Sequence, residues 1–171
     1  MNAFYEHRDE HLFIGEMTHY PFPFHMHELA EILAVLSGSV HITIDGMDYT
    51  LSPGDIAVIF PLTVHSYEEI REGSSGLVAI FPPDIIPEYN STFHSLSPEH
   101  PVLRSGTAAE DSVEAVSRLY QLNFEKDLPL SVAYLHVLLA GTLHRLSYHP
   151  VYDYSDRGLG YRIMRYISDH A

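Results

Sequence analysis

The stretch Phe24-His25-Met26-His27-Glu28-Leu29-Ala30-Glu31 places two imidazoles and a carboxylate on odd-numbered positions. Side chains alternate between faces along an extended chain, so His25, His27 and Glu31 share one parity and can point to one side. Neutral imidazoles and a carboxylate converging in this way suit a divalent transition metal such as zinc, nickel, iron or manganese. His65 follows in Pro61-Leu62-Thr63-Val64-His65 and becomes a fourth ligand if its strand lies beside the first. The competing reading has these groups hydrogen-bonding one another or a ligand, with Glu31 a buried partner for His27. Cysteine is absent, which removes disulfides, thiolate zinc sites and cysteine nucleophiles together.

The elements that must position these residues are short. Before residue 105, apolar runs at 12–17, 29–36, 40–44, 47–51, 56–60, 64–67 and 77–81 are separated by Gly, Pro and Asp-Gly turns, the pattern of antiparallel β structure. Asp45-Gly46 supplies the positive-φ pair that a two-residue hairpin needs. Val40, Ile42 and Ile44 alternate with Ser39, His41 and Thr43, so one face of that hairpin is apolar. This places His41 on the polar side and outside the site. So many short strands predict a sandwich or barrel.

From Pro82 to Pro101 the chain is rich in Pro, Ser, His and Asn and reads as a connection with little regular structure. Helical periodicity then takes over. Thr107-Ala108-Ala109-Glu110 has capping-box spacing, and Val113, Val116 and Leu119 follow on one stripe. Pro129 suits a helix start. Leu128, Val132, Leu135, Leu139, Thr142 and Leu146 then recur every third or fourth residue, up to a stop at Pro150. A third periodic segment, Leu159, Ile163 and Ile167, is still running at Ala171. The implied organisation is a barrel over 1–105, a helical connector over 106–150, and a further segment over 151–171.

Among 171 residues, 46% are hydrophobic and 19% charged, so a folded domain is expected. The formal charge is -14, and residues 1–90 hold 14 acids against 2 bases, Arg8 and Arg71. Nucleic-acid affinity rests on Lys and Arg displacing counterions, so this chain is not expected to bind DNA by itself. The N-terminus lacks the basic-then-apolar order of a signal peptide. No apolar run approaches the roughly 18 residues of a membrane span. A soluble, cytoplasmic protein is the expectation.

The spacing His25-x-His27, Glu31, Gly38, followed by Gly54-Asp55 and His65, resembles the two motifs of the cupin superfamily. Phe60 and Leu62 depart from it, standing where the second motif usually has Pro and Gly. All four metal-binding positions of metallo-cupins carry ligand-capable residues. Around the motifs, Glu31-Ile32-Leu33-Ala34-Val35-Leu36-Ser37-Gly38-Ser39, Tyr49-Thr50-Leu51-Ser52-Pro53-Gly54-Asp55 and His65-Ser66-Tyr67 resemble the sensor domain of AraC-type transcriptional regulators. The string Gly160-Tyr161-Arg162-Ile163-Met164-Arg165-Tyr166-Ile167 resembles the first helix of their DNA-binding domain.

The resemblance implies a mainly β fold, a double-stranded β-helix or jelly-roll barrel, followed by an α-helical segment used for homodimerisation. It implies a small-molecule effector, for instance a sugar, and no catalysis. DNA would be reached only through a C-terminal helix-turn-helix domain beyond Ala171. Effector contacts are expected from His25, His27, Glu31, His65, Phe24, Tyr49 and Tyr67, with Phe22 and Phe60 as further aromatic lining. Arg8 and Arg71 read as surface residues or as partners for an anionic effector. Val132, Leu135, Leu139 and Leu146 form a candidate dimer seam. The alternative is a small metal-dependent cupin enzyme, a dioxygenase or isomerase, using the same four ligands.

Overall fold

The computed structural model describes residues 3–8, 12–17, 21–68, 73–106, 110–122 and 126–151. Twelve strands and three helices run in the order β1 (Phe4–Tyr5), β2 (Phe13–Glu16), β3 (Phe22–Met26), β4 (Ala30–Ser37), β5 (Val40–Ile44), β6 (Met47–Leu51), β7 (Ile56–Ile59), β8 (His65–Tyr67), β9 (Ser75–Phe81), α1 (Pro87–Ser95), β10 (Leu96–Pro98), β11 (Val102–Leu103), α2 (Glu110–Gln121), α3 (Leu128–Leu143) and β12 (Tyr148–Pro150). Two five-stranded sheets, ordered β1-β3-β8-β5-β6 and β11-β7-β4-β9-β2, face each other as a jelly-roll barrel. The mainly β expectation holds.

The hairpin at Asp45-Gly46 forms as its sequence requires. Asp45 has φ 48° and Gly46 φ 80°, and Ile44 pairs with Met47 across the turn. Strand β4 is buried on both faces. Leu33 and Val35 point into the barrel with Val40, Ile42, Leu51, Ile59 and Ile80. Ala30, Ile32 and Ala34 point outward into a second core with Phe81, Phe93, Val116, Leu135 and Leu139. Each Val, Leu, Ile or Phe among them contributes about 1.5–3 kcal/mol on burial.

Asp55 ties the barrel's far rim together. Its carboxylate accepts from the Ser52 amide at 3.0 Å, the Ser105 amide at 2.8 Å and Arg104 Nη1 at 2.8 Å. Burial pushes this carboxyl up, but the backbone donors and the guanidinium outweigh it and hold it below the ordinary value.

Three expectations need correcting. The stretch 82–101 is not irregular: Pro87 occupies the first turn of α1, and Tyr89 and Phe93, four residues apart, bury on the barrel. The second predicted helix stops at Leu143 rather than running to Pro150, which instead pairs with Leu96 in the small β10-β12 sheet. Finally, Leu135, Leu139 and Leu146 pack within this chain's own core, so that stripe is not free to form a dimer seam. Thr107–Ala109, Arg71 and the third periodic segment at 159–167 lie outside the described residues. No helix among the described residues is long and apolar enough to cross a membrane.

Candidate metal centre

Two sheets and one connection build the site. His25 on β3 and His65 on β8 are register partners in the first sheet, their ring centroids 4.0 Å apart. Glu31 lies on the inner face of β4, in the second sheet, between Ile59 and Ile80 on the neighbouring strands. His27 sits in the short connection that carries the chain from one sheet to the other. The shared parity of the three motif residues therefore reaches across a strand–turn–strand unit. Each of the four side chains offers one ligand atom, and these atoms all lie within 4.8 Å of one another. All four are 2% exposed or less.

Each imidazole is oriented by its other nitrogen. His25 Nδ1 donates to the Pro23 carbonyl at 2.9 Å, His27 Nδ1 to Leu29 at 3.0 Å and His65 Nδ1 to Thr63 at 2.9 Å. A carbonyl only accepts, so each Nδ1 carries the hydrogen, and in a neutral ring each Nε2 presents a lone pair. Burial pushes His25 down to about 4, reinforced by the charge of His65, so this ring is neutral near neutral pH. Tyr67 donates its hydroxyl to Glu31 Oε1. Burial, then the Glu31 charge, holds the Tyr67 phenol well above its ordinary value, so it keeps that hydrogen.

Glu31 Oε2 faces His27 Nε2 at 3.1 Å and His65 Nε2 at 3.4 Å. Burial pushes the Glu31 carboxyl up, but the two rings outweigh it and hold it well below the usual range. With Nδ1–H tautomers, lone pairs meet a carboxylate at hydrogen-bond distance. Such an arrangement requires a positive charge between the groups, a proton or a metal ion. His65 Nε2 is buried without a hydrogen-bond partner. Three Nε2 lone pairs and one carboxylate form a donor set that fits a divalent transition metal, and carbonyl-held Nδ1–H groups are the outer support such ligands require.

The loop between β7 and β8 holds the His65 ring and the His27 main chain. Thr63 O holds His65, and the Leu62 amide donates to the His27 carbonyl at 2.8 Å. Leu62 has φ 63°, a left-handed conformation that is strained for leucine. This is a position where the cupin motif usually has glycine. Gly38, the last residue of the first motif, keeps the expected type: a Cβ there would meet Ser74 Cα at 2.6 Å, and its φ is 71°.

Beside the cluster lies a cavity of about 170 Å³, with His25, Glu31 and Tyr67 among its lining residues. Phe22 lines it; Phe24, Tyr49 and Phe60 do not. The Phe60 ring turns to the outer core, 4.9 Å from Phe93 and 6.1 Å from Tyr148. The structure adds residues to the site that sequence reasoning passed over. Phe13, Met17, Val78 and Ile80 line the cavity, and Phe4 stacks on His25 at 5.8 Å. Arg8 also lines it, 3.0 Å from Glu6 and 5.6 Å from the Phe13 ring centre. Arg8 alone of these was named from the sequence, as a rare base in an acidic half that is either a surface residue or a partner for an anionic effector.

Two facing sheets with a buried three-histidine, one-carboxylate cluster define a cupin. Within that class the chain belongs to the AraC-like ligand binding domain family, whose model matches residues 11–139. Several solved structures are similar. An RmlC-like cupin from Shewanella frigidimarina is 21% identical over 43% of this chain and 67% of its own, with a TM-score of 0.36. The DMSP lyase DddQ from Ruegeria pomeroyi is 24% identical over 41% of this chain and 36% of its own, with a TM-score of 0.35. KdgF from a Halomonas species is 21% identical over 44% of this chain and 84% of its own, with a TM-score of 0.36. No curated protein gives a significant match.

Proposed function

We propose that this chain is the small-molecule-sensing domain of a cytoplasmic transcriptional regulator and that it does not itself catalyse a reaction. The observation that carries this reading is the buried His25, His27, Glu31 and His65 cluster beside a cavity, in a chain of the AraC-like ligand binding domain family. The effector enters the cavity. A divalent transition metal held by the four ligands supplies a positive charge there, while Tyr67 and the three Nδ1–H contacts keep the donor atoms oriented.

Occupancy is transmitted by the loop at 60–63. Its backbone holds His27 and His65, and its Phe60 ring contacts Phe93 and Tyr148. Tyr148 begins β12, whose next residue Val151 bonds the Ser95 carbonyl at 2.9 Å. A shift at the ligands thus reaches β12, and through it biases a helix-turn-helix DNA-binding domain outside this chain. Control of this kind requires unequal effector affinity for the two arrangements. Homodimerisation uses the outward side of α3, a helix without a charged residue in which Leu130 and Val137 are 48% and 45% exposed.

Metal analysis of purified protein combined with a thermal-shift screen of small acids and sugars tests the reading. Stabilisation by one ligand class without turnover supports it. Stoichiometric iron with oxygen consumption on any candidate overturns it in favour of a metal-dependent cupin enzyme, which the same donor set suits. Hydrogen exchange tests the transmission route: loading the site is expected to slow exchange at Glu99 and Val151, and replacing Phe60 by Ala is expected to remove that response.

A further inference from the structure

The cavity beside the cluster is chemically lopsided. Its walls are Phe13, Met17, Phe22, Val78 and Ile80, whose side chains offer a ligand no hydrogen bond beyond the weak acceptor of the Met17 thioether. Its polar groups are His25, Glu31 and Tyr67 on one side, with Arg8 and Glu16 also lining it. A sugar carries hydroxyls around its whole perimeter, and burying each without a partner costs about 1–3 kcal/mol. A ligand with an apolar body and one polar head meets no such penalty. The volume of about 170 Å³ sets the size. An apolar cavity of about 150 Å³ accommodates benzene, so one ring or a short branched chain fits.

Charge decides the head group. The Glu31 carboxylate at the cluster, with Glu16 also lining the cavity, disfavours an anion there. A divalent cation held by His25, His27, Glu31 and His65 would place two positive charges at that end of the cavity, which favours a carboxylate head against it. Arg8 points the same way. Residues 1–90 hold 14 acids, and Arg8 is the only Lys or Arg among their described residues, yet it lines this cavity. Glu6 and Glu16 near Arg8 leave the unloaded cavity negative, so acceptance of an anion depends on the metal.

We propose that the cavity takes a small monocarboxylate with a compact apolar body, an aromatic or branched aliphatic acid, and that it does so only when the His25, His27, Glu31 and His65 cluster holds a divalent cation. This rests on the sensor reading above and names the effector class that reading leaves open.

Thermal shift and calorimetry with benzoate, isovalerate, benzamide and D-glucose, on Zn²⁺-loaded and chelator-treated protein, test it. Elemental analysis of each sample is run in parallel. Benzoate or isovalerate is expected to stabilise loaded protein, benzamide to bind at least tenfold more weakly, and glucose to leave the transition unmoved. Chelation is expected to abolish the benzoate shift. Val78→Phe should fill the cavity and abolish that shift with zinc stoichiometry unchanged. Arg8→Gln should weaken benzoate roughly threefold to tenfold, again with zinc retained. Loaded protein stabilised by glucose and indifferent to both acids overturns the effector class while leaving a sensor in place. Benzoate binding equally well after chelation overturns the role of the cation. Protein that takes up none of Zn²⁺, Ni²⁺, Fe²⁺ and Mn²⁺ overturns both this inference and the metal centre beneath it.

Discussion

The central sheet, β11-β7-β4-β9-β2, has two buried faces, and they are filled in opposite ways. Its outer face presents Ala30, Ile32, Ala34, Val58, Ala79 and Phe81 to the helices, an apolar surface in which small alanines make room for Phe93, Leu135 and Leu139. Its inner face starts with the same material in Leu33, Val35, Ala57 and Ile59, and then admits Glu31 against His27 and His65. One strand, β4, contributes to both faces by alternation alone. The outer face is built for cohesion. The inner face accepts a buried carboxylate, which is costly unless a cation or proton satisfies it. The difference marks where the fold spends stability on chemistry.

The sharpest test removes the chemistry from the inner face. Replacing His25 and His27 together with Ala is expected to lower metal affinity by at least 10³-fold, since two of four donors go. Elemental analysis after dialysis should fall from stoichiometric to background. Circular dichroism should remain that of a folded barrel, because the outer core is untouched. Undiminished metal content would refute the site.

The converse change attacks the outer face. Phe93 is 1% exposed, between Phe60 and Phe81. Phe93→Ala is expected to cost about 3–5 kcal/mol in denaturant unfolding, through lost burial and the cavity left behind. The fraction that stays folded should bind metal stoichiometrically. If both faces lost metal and stability together, the division between them would be wrong.

At the barrel rim the expected effect is smaller. Asp55→Asn keeps one acceptor oxygen and turns the other into an NH2 donor, so either the Ser105 amide or the Ser52 amide with Arg104 loses its acceptor, for a cost of about 1–3 kcal/mol. The pH dependence has a definite sign. The folded carboxyl lies below its ordinary value, so its contribution is present above the unfolded value of about 4 and fades as pH falls through the folded one. Wild type should therefore lose stability faster than Asp55→Asn on acidification below about pH 4, with the two curves converging. Parallel curves would show that Asp55 is not held as described.

How much of this was legible before folding differs between the two faces. The Asp45-Gly46 hairpin and the His25, His27, Glu31 parity are local, so alternation and turn chemistry sufficed to place them. Strand β4 resisted face assignment, because a strand buried on both sides reads as an unbroken apolar run. Helix α1 was hidden by a composition rich in Pro and Ser, and only Tyr89 and Phe93 at a spacing of four betrayed it. The cavity walls were not legible either. Phe13, Val78 and Ile80 meet there because β9 pairs with both β2 and β4, and that pairing is a long-range fact that no local pattern carries.

Leu62 joins the two faces and yields the smallest effect. It holds a left-handed backbone at φ 63° where the motif usually has glycine, and its amide bonds the His27 carbonyl. Leu62→Gly removes a conformational cost of about 1 kcal/mol and gives back part of it through lost packing and a freer unfolded chain. The expected net gain is about 0.5 kcal/mol in unfolding free energy. The gain should have a functional counterpart. A relaxed loop fixes the His27 main chain and the His65 ring less firmly, and weakening such outer support typically lowers metal affinity by about tenfold. Higher stability with weaker metal binding would show the strain to be part of how the site is held. A gain in stability with unchanged affinity would reduce Leu62 to an accident of sequence, and would leave the Nδ1–carbonyl contacts as the main support of the inner face.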